Sequence, residues 1–171
     1  WDLEKLTEII NEQNLNPKYI INTHWHDDHT RGNEDLAKEL SVKIVQHSAS
    51  QLKNDLTVSD GDSIKFGCSE LAVYHTPGHS KDSICLVGDG KIFSGDTLFV
   101  GNCGRIDLPG GSARELYHSL SDVIANLSDD LVLYPGHDYG SSSTSTIGKE
   151  KQTNPVMQKM SENEFVERMG G

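Results

Sequence analysis

Apolar positions recur along this chain with two periods, and the change from one to the other marks its elements. From the N-terminal end, Leu3, Leu6, Ile9 and Ile10 share one helical face, so residues 3–14 are predicted as an amphipathic helix. The rhythm then shortens. Lys18–Asn22 reads as a buried strand and Val42–Gln46 as a second, in which β-branched residues alternate with polar ones. Between them Asn33 is placed to cap a helix over Glu34–Leu40. Ser59-Asp60-Gly61-Asp62 is a turn, and Ser63–Phe66 and Glu70–His75 are strands joined around Gly67. The clearest hairpin pairs Ile84–Val87 with Lys91–Phe93 through Gly88-Asp89-Gly90. Leu116, Leu120, Val123, Ile124 and Leu127 lie on one face of Ser112–Leu127, which predicts a continuous helix capped by Ser112. Leu131–Tyr134 is the last strand. Beyond a Ser/Thr-rich run from Ser141, helices are predicted at Thr146–Gln152 and Glu162–Met169. Strands and hairpins interleaved with helices indicate one layered α/β domain over 1–171 rather than a purely parallel sheet.

Composition narrows the partners. The chain has 171 residues, enough for one core, and a formal charge of -11, which argues against a nucleic-acid surface. No apolar run reaches the length of a membrane span. Cys68, Cys85 and Cys103 are odd in number and widely spaced, so they read as thiols in a reducing, cytoplasmic setting.

The chemistry gathers in Thr23-His24-Trp25-His26-Asp27-Asp28-His29, directly after the apolar run Tyr19-Ile20-Ile21. In an extended segment the two imidazoles of His-x-His point to the same side, which suits two ligands on one metal. Asp28 and His29 follow where the chain turns and can address a second ion. Three later strands each deliver one more ligand type beside a glycine: His79 after Pro77-Gly78, Asp96 after Gly95, and His137 after Pro135-Gly136. His47, His75 and His118 stand outside this series and are assigned to packing or surface.

The series His24-x-His26-x-Asp28-His29, His79, Asp96, His137 resembles the metallo-β-lactamase superfamily. Within it, Gly95-Asp96-Thr97-Leu98, Cys103-Gly104-Arg105-x-Asp107 and Leu116-Tyr117-His118-Ser119 look like the branch of glyoxalase II (hydroxyacylglutathione hydrolase) and persulfide dioxygenase. Gly136-His137-Asp138-Tyr139, Asn154-Pro155 and Glu164-Phe165-Val166 resemble persulfide dioxygenases in particular. The resemblance implies a four-layer αββα sandwich. Relatives carry strands ahead of the first helix seen here, so a natural N-terminal segment is expected to be missing from this chain; without it a sheet edge and inner face would be exposed. The family pattern puts His24, His26 and His79 on one metal and Asp28, His29 and His137 on another, with Asp96 bridging. Imidazole and carboxylate ligands suit zinc, with iron or manganese as alternatives.

Two activities on a small thiol-linked substrate follow from the resemblance. The first expectation is thioester hydrolysis, in which two divalent ions activate a hydroxide that Asp28 orients and Asp96 helps to hold. The alternative is a persulfide dioxygenase with one Fe(II) on His24, His79 and Asp96. A non-catalytic metal-binding module is a third reading, and a β-lactamase proper fits the thiol-handling features less well. Arg105 is a candidate for a substrate carboxylate or for an ion pair with Asp107. Cys103 either flanks the substrate pocket or is an inert loop thiol, and Tyr139 is a further candidate for substrate contact. Asp138 is expected to steady the ligands from behind. Family members commonly carry arginine directly after Asn-Pro, where a glutathione carboxylate could be held; here the residue is Val156, with Lys149 and Lys151 as candidate replacements.

Overall fold

Asp89 and Gly90 both adopt left-handed backbone, with φ of 48° and 71°, the conformation that a two-residue turn needs to match the twist of its flanking strands. Around them the computed structural model describes residues 3–170. In chain order the regular elements begin with α1 (Leu3–Glu12), β1 (Tyr19–Ile21), α2 (Asp27–Thr30), α3 (Asn33–Leu40), β2 (Lys43–His47) and β3 (Leu56–Val58). There follow β4 (Ser63–Phe66), β5 (Ser69–His75), β6 (Ile84–Gly88), β7 (Lys91–Gly95), β8 (Leu98–Phe99) and β9 (Asn102–Cys103). Then come α4 (Ala113–His118), β10 (Val132–Pro135), β11 (Ser145–Thr146), α5 (Ile147–Thr153) and α6 (Glu162–Arg168).

The strands form a parallel sheet in the order β1-β2-β3 and a larger mixed sheet in the order β11-β10-β7-β6-β5-β4. The alternation of side chains along β6 explains the layering. Ile84 and Leu86 join Val45 and Val58 of the smaller sheet in one core, while Cys85 packs with Leu116, Leu120, Ile124, Ile147 and Phe165 in the other. The first core therefore lies between the sheets and the second under α4, α5 and α6. With α3 against β2, the order is helix, sheet, sheet, helix, the αββα sandwich implied by the resemblance. The smaller sheet leaves part of the larger one's inner face uncovered, where Phe93 and Tyr134 stack at 5.5 Å and remain 37% and 38% exposed.

Two expectations need correction. Ser112 does cap a helix, accepting from the Glu115 N–H at 3.3 Å, but Ser112–Leu127 is not continuous. After α4 the chain widens into a π-helical turn over Ser119–Val123 and then tightens to a 3₁₀ turn over Ile124–Asn126. Leu116, Leu120 and Ile124, all buried, are spaced every four residues. A regular 3.6-residue turn would carry them progressively off the buried line, and the wider turn brings them back. Ser119 Oγ also donates to the Pro77 carbonyl at 2.6 Å, holding that turn against the loop before His79. The second correction is at Asn33, which begins α3; the cap is Gly32, with φ of 85°.

Candidate metal centre

Four segments bring the ligand types together at one end of the two sheets. The loop after β1 is anchored by Asn22 N–H donating to Val45 O at 3.1 Å, and Thr23 O accepts from Ile84 N–H at 2.8 Å. That second bond crosses from the smaller sheet to the larger one. His24 and His26 follow with ring centroids 4.8 Å apart. Asp27–Thr30 then forms one helical turn, α2, from which Asp28 and His29 project. Thr76–Ser83 carries His79 off the end of β5; Gly95 turns β7 sharply with φ of 51° and presents Asp96; the loop after β10 supplies His137.

The seven side chains converge. Ligand atoms of His24, His26 and His79 lie within 4.8 Å of one another, as do those of His24, His29 and Asp96 and those of Asp28, His29 and His137. His26 Nδ1 faces His79 Nε2 at 2.8 Å, and His29 Nε2 faces His137 Nε2 at 3.1 Å. Asp96 stands between the two groups, with Oδ2 3.6 Å from His79 Nε2 and 3.4 Å from His137 Nε2, and Oδ1 3.3 Å from His29 Nε2. Asp28 Oδ2 is 3.3 Å from His137 Nε2.

The donor set fits a cation. Among the described residues, the buried atoms His24 Nε2, His26 Nε2 and Asp96 Oδ1 have no hydrogen-bond partner, a costly state that an ion would relieve. His79 Nδ1 bonds the Arg105 carbonyl at 2.7 Å, which turns Nε2 toward the cluster and fixes the tautomer a metal requires. The imidazoles are also held neutral. Burial, reinforced by the neighbouring rings, lowers the His24 pKa to about 2; burial lowers that of His79 to about 4 against the pull of the Arg105 carbonyl. Burial raises Asp96 to about 6, with His137 opposing and Asp28 adding to the rise. Each is a group that gains by meeting a positive ion.

A cavity of about 540 Å³ opens over the cluster, lined by His26, Asp28, His79, Asp96 and His137 and walled by Phe99, Cys103, Arg105, Leu108 and Tyr139. Arg105 takes the ion-pair alternative, with Nε and Nη2 donating to the two Asp107 carboxylate oxygens at 2.5 Å each. Cys103 is buried, and burial pushes its thiol up to about 12, so the neutral form prevails. Tyr139 is 73% exposed and stacks on His137 at 4.8 Å. Asp138 is exposed and makes no hydrogen bond or ion pair with the cluster among the described residues, so it does not steady the ligands from behind. Of the other histidines, His118 is exposed, while His47 and His75 stack on each other at 4.0 Å.

Glycines at the centre act through missing volume, which sequence reading tied only to turning. A Cβ on Gly136 would press on Asp96 Oδ1 and come within 2.9 Å of His29 Cε1. One on Gly104 would meet the Asp96 carbonyl and approach His79 Nδ1 to 2.9 Å. Only the fold brings these pairs together.

Comparison with known proteins gives a consistent picture. A family model described as the Metallo-beta-lactamase superfamily matches residues 1–53 and 46–137. The chain is 37% identical over 166 residues to human mitochondrial persulfide dioxygenase ETHE1, covering 95% of this chain and 65% of that protein. It is 39% identical over 137 residues to a hydroxyacylglutathione hydrolase of Tolumonas auensis, covering 77% of this chain and 52% of that one. The chain thus spans less than two thirds of these curated relatives. The crystal structure of ETHE1 from Myxococcus xanthus superposes with a TM-score of 0.90 at 32% identity, covering 99% of this chain and 76% of that one.

Proposed function

The chain belongs to the metallo-beta-lactamase superfamily, and from that membership we propose that it oxidises the persulfide of a small thiol, using one ferrous ion held by His24, His79 and Asp96. The observation that carries this reading is the extent of likeness: similarity to a persulfide dioxygenase runs over 95% of the chain at 37% identity, against 77% at 39% and 86% at 31% for two hydroxyacylglutathione hydrolases. It reverses the order expected from sequence, in which thioester hydrolysis stood first. Two imidazoles and a carboxylate are a set that suits Fe(II), and their mutual approach, with His79 Nε2 3.6 Å from Asp96 Oδ2, supports it.

When bound, the ion would supply redox chemistry and open positions for dioxygen and the substrate sulfur. The protein's own groups do the rest. The Arg105 carbonyl orients His79, and Thr23 Oγ1, 3.2 Å from His24 Nδ1, steadies the other imidazole. Phe99, Leu108 and the neutral Cys103 give the cavity an apolar wall that limits water beside the reacting sulfur. Tyr139 covers the open side over His137. The balanced reaction takes one persulfide, one dioxygen and one water to one thiol, one sulfite and two protons, with dioxygen as the four-electron oxidant of the outer sulfur. The unpaired thiols Cys68, Cys85 and Cys103 support a reducing, cytoplasmic setting as part of the same reading. Among the described residues, no helix is long and apolar enough to cross a membrane.

Thioester hydrolysis on two ions is the second reading, and it has its own support. Asp28, His29 and His137 complete a second ligand group, and Asp96 lies between the two. Asp28, 61% exposed in its side chain, could there orient an attacking water. The deciding experiment measures metal content in protein purified without chelators, together with oxygen uptake on glutathione persulfide. One iron per chain and stoichiometric oxygen uptake are expected. Asp96→Ala should lower turnover by at least about 100-fold, since it removes a ligand, whereas His137→Ala should cost less. Two zinc ions per chain, thioester turnover and equal loss in both variants would replace this reading with the hydrolytic one.

A further inference from the structure

The β8–β9 ribbon walls the cavity over the metal cluster with Phe99, Val100, Asn102 and Cys103, yet it pairs only Leu98 with Cys103 and Phe99 with Asn102. An isolated two-stranded ribbon of that length is not stable in water, so its place depends on ties from outside. At its turn Gly101 has φ of 78°, and nothing lies within 4 Å of where a Cβ would stand, so no side chain packs over it. The tie there is a hydrogen bond from the Gly101 N–H to Glu150 Oε2, 2.8 Å away.

Glu150 lies in α5 and is 1% exposed. Two further donors reach it: Ser145 Oγ at 2.5 Å from Oε1, and Asn154 Nδ2 at 2.9 Å from Oε2. Asn154, fully buried, extends the grip, because its Nδ2 also donates to the Phe99 carbonyl at 3.2 Å and the Asn102 carbonyl at 3.1 Å. The pair thus holds the ribbon at Phe99, Gly101 and Asn102. Burying a carboxylate is costly, and here its two oxygens accept three converging donors that an apolar side chain would leave unpaired. The ribbon in turn seats the loop that follows His137. Tyr139 meets the Phe99 ring edge to face at 5.5 Å while it stacks on His137. Gly140 fits so closely that a Cβ on it would stand 2.6 Å from Val100 Cβ. A continuous set of contacts therefore runs from Glu150 to the open side of the cavity, although neither Glu150 nor Asn154 lines that cavity.

We propose that Glu150 and Asn154 are positioning residues for the substrate: they fix the β8–β9 ribbon as the cavity wall and, through Phe99, hold Tyr139 over the open side, so that they govern substrate affinity without touching substrate or metal. The inference rests on the small-thiol reading above and holds equally for a persulfide and for a thioester, since one wall serves both. A wall that shifts loses contacts common to the bound substrate and the transition state, which raises KM and leaves kcat per bound ion in place.

Three variants test this. Glu150→Ala removes the acceptor of the Gly101 N–H, and Asn154→Leu removes the donor to both ribbon carbonyls. Glu150→Gln keeps one oxygen for Gly101 and Asn154 and can turn its amide to Ser145 Oγ, which accepts as readily as it donates. In iron-loaded protein, KM for glutathione persulfide should rise about ten-fold in Glu150→Ala and Asn154→Leu, with kcat per bound ion within about two-fold of wild type. Glu150→Gln should restore KM. Backbone hydrogen exchange over residues 98–103 should quicken in the first two variants alone, with iron content unchanged. Lower iron content or melting temperature at an unchanged KM per ion overturns the inference, because Leu98 and Val100 in the core would then hold the wall unaided. A Glu150→Gln protein that behaves as Glu150→Ala overturns it too. If Glu150→Ala does not fold, Asn154→Leu decides by the same comparison. A wild type that turns over a glutathione thioester instead overturns the activity, and KM for the thioester then decides the wall. One that turns over neither also overturns the activity, and exchange over 98–103 decides.

Discussion

Gly136 and His79 illustrate how single residues set this centre. Gly136 has no left-handed requirement; its hydrogen is needed because Asp96 and His29 approach it from two sides. Gly136→Ala should therefore displace both side chains together while leaving the strands intact. Metal content should fall to less than half that of wild type, with far-UV circular dichroism unchanged; full metal occupancy would show that the loop gives way instead. His79 depends on a neighbour of another kind, a backbone carbonyl at Arg105 that no side-chain substitution removes. That these seven side chains would gather was legible in the sequence, through residue type, spacing and the resemblance they carry. The Arg105 carbonyl and Gly104 were not, because each acts across a gap in sequence that only the fold closes.

At the scale of elements, α6 joins a local cap to a core anchor. Ser161 Oγ accepts from Glu164 N–H at 3.3 Å, and Glu164 Oε2 accepts from Ser161 N–H at 2.7 Å, a reciprocal capping box. Phe165 is fully buried beside Tyr117, and Glu162 pairs with Arg114 and His118. Ser161→Ala should cost about 1 kcal/mol, lowering the melting temperature by roughly 2–4 °C in a thermal denaturation. An unchanged midpoint would mean that Phe165 alone holds the helix. Elements of this sort, with a periodic apolar face or a local cap, were readable: α6 and β4 fall within a residue of expectation, and the β6–β7 hairpin follows from its turn. The four-residue α2, the short β3 and the two-residue β8, β9 and β11 were not. They contain too few residues to show a period and exist through their pairing partners. The π-helical turn escaped for a related reason, since its cause is the buried line of Leu116, Leu120 and Ile124 and a carbonyl at Pro77, not local propensity.

For the whole molecule, the centre is a joint between sheets. His24, His26, Asp28 and His29 follow β1 of the smaller sheet, whereas His79, Asp96 and His137 follow strands of the larger one. A bound ion therefore couples the two sheets, and its loss should weaken the whole fold, by about 4 kcal/mol where free metal stands at a thousand times its dissociation constant. Without metal, acid should deepen the loss. Burial holds His24 and His79 at about 2 and about 4 in the fold, below the ordinary imidazole value of 6.5. Their stabilising contribution is thus complete above pH 6.5 and fades as pH falls, because the unfolded chain takes up protons that the buried rings refuse. The slope approaches about 1.4 kcal/mol per pH unit for each such ring. Asp96 acts in the opposite sense, between the ordinary carboxylate value of 3.8 and the value of about 6 to which burial raises it. Two imidazoles outweigh one carboxylate, so the chelated protein should melt progressively lower from pH 7.5 to pH 5. Differential scanning calorimetry of chelated and metal-loaded protein across that range checks both parts. A chelated protein whose midpoint is flat with pH would mean that the rings reach water once the ion is gone, and that the metal itself keeps the joint closed.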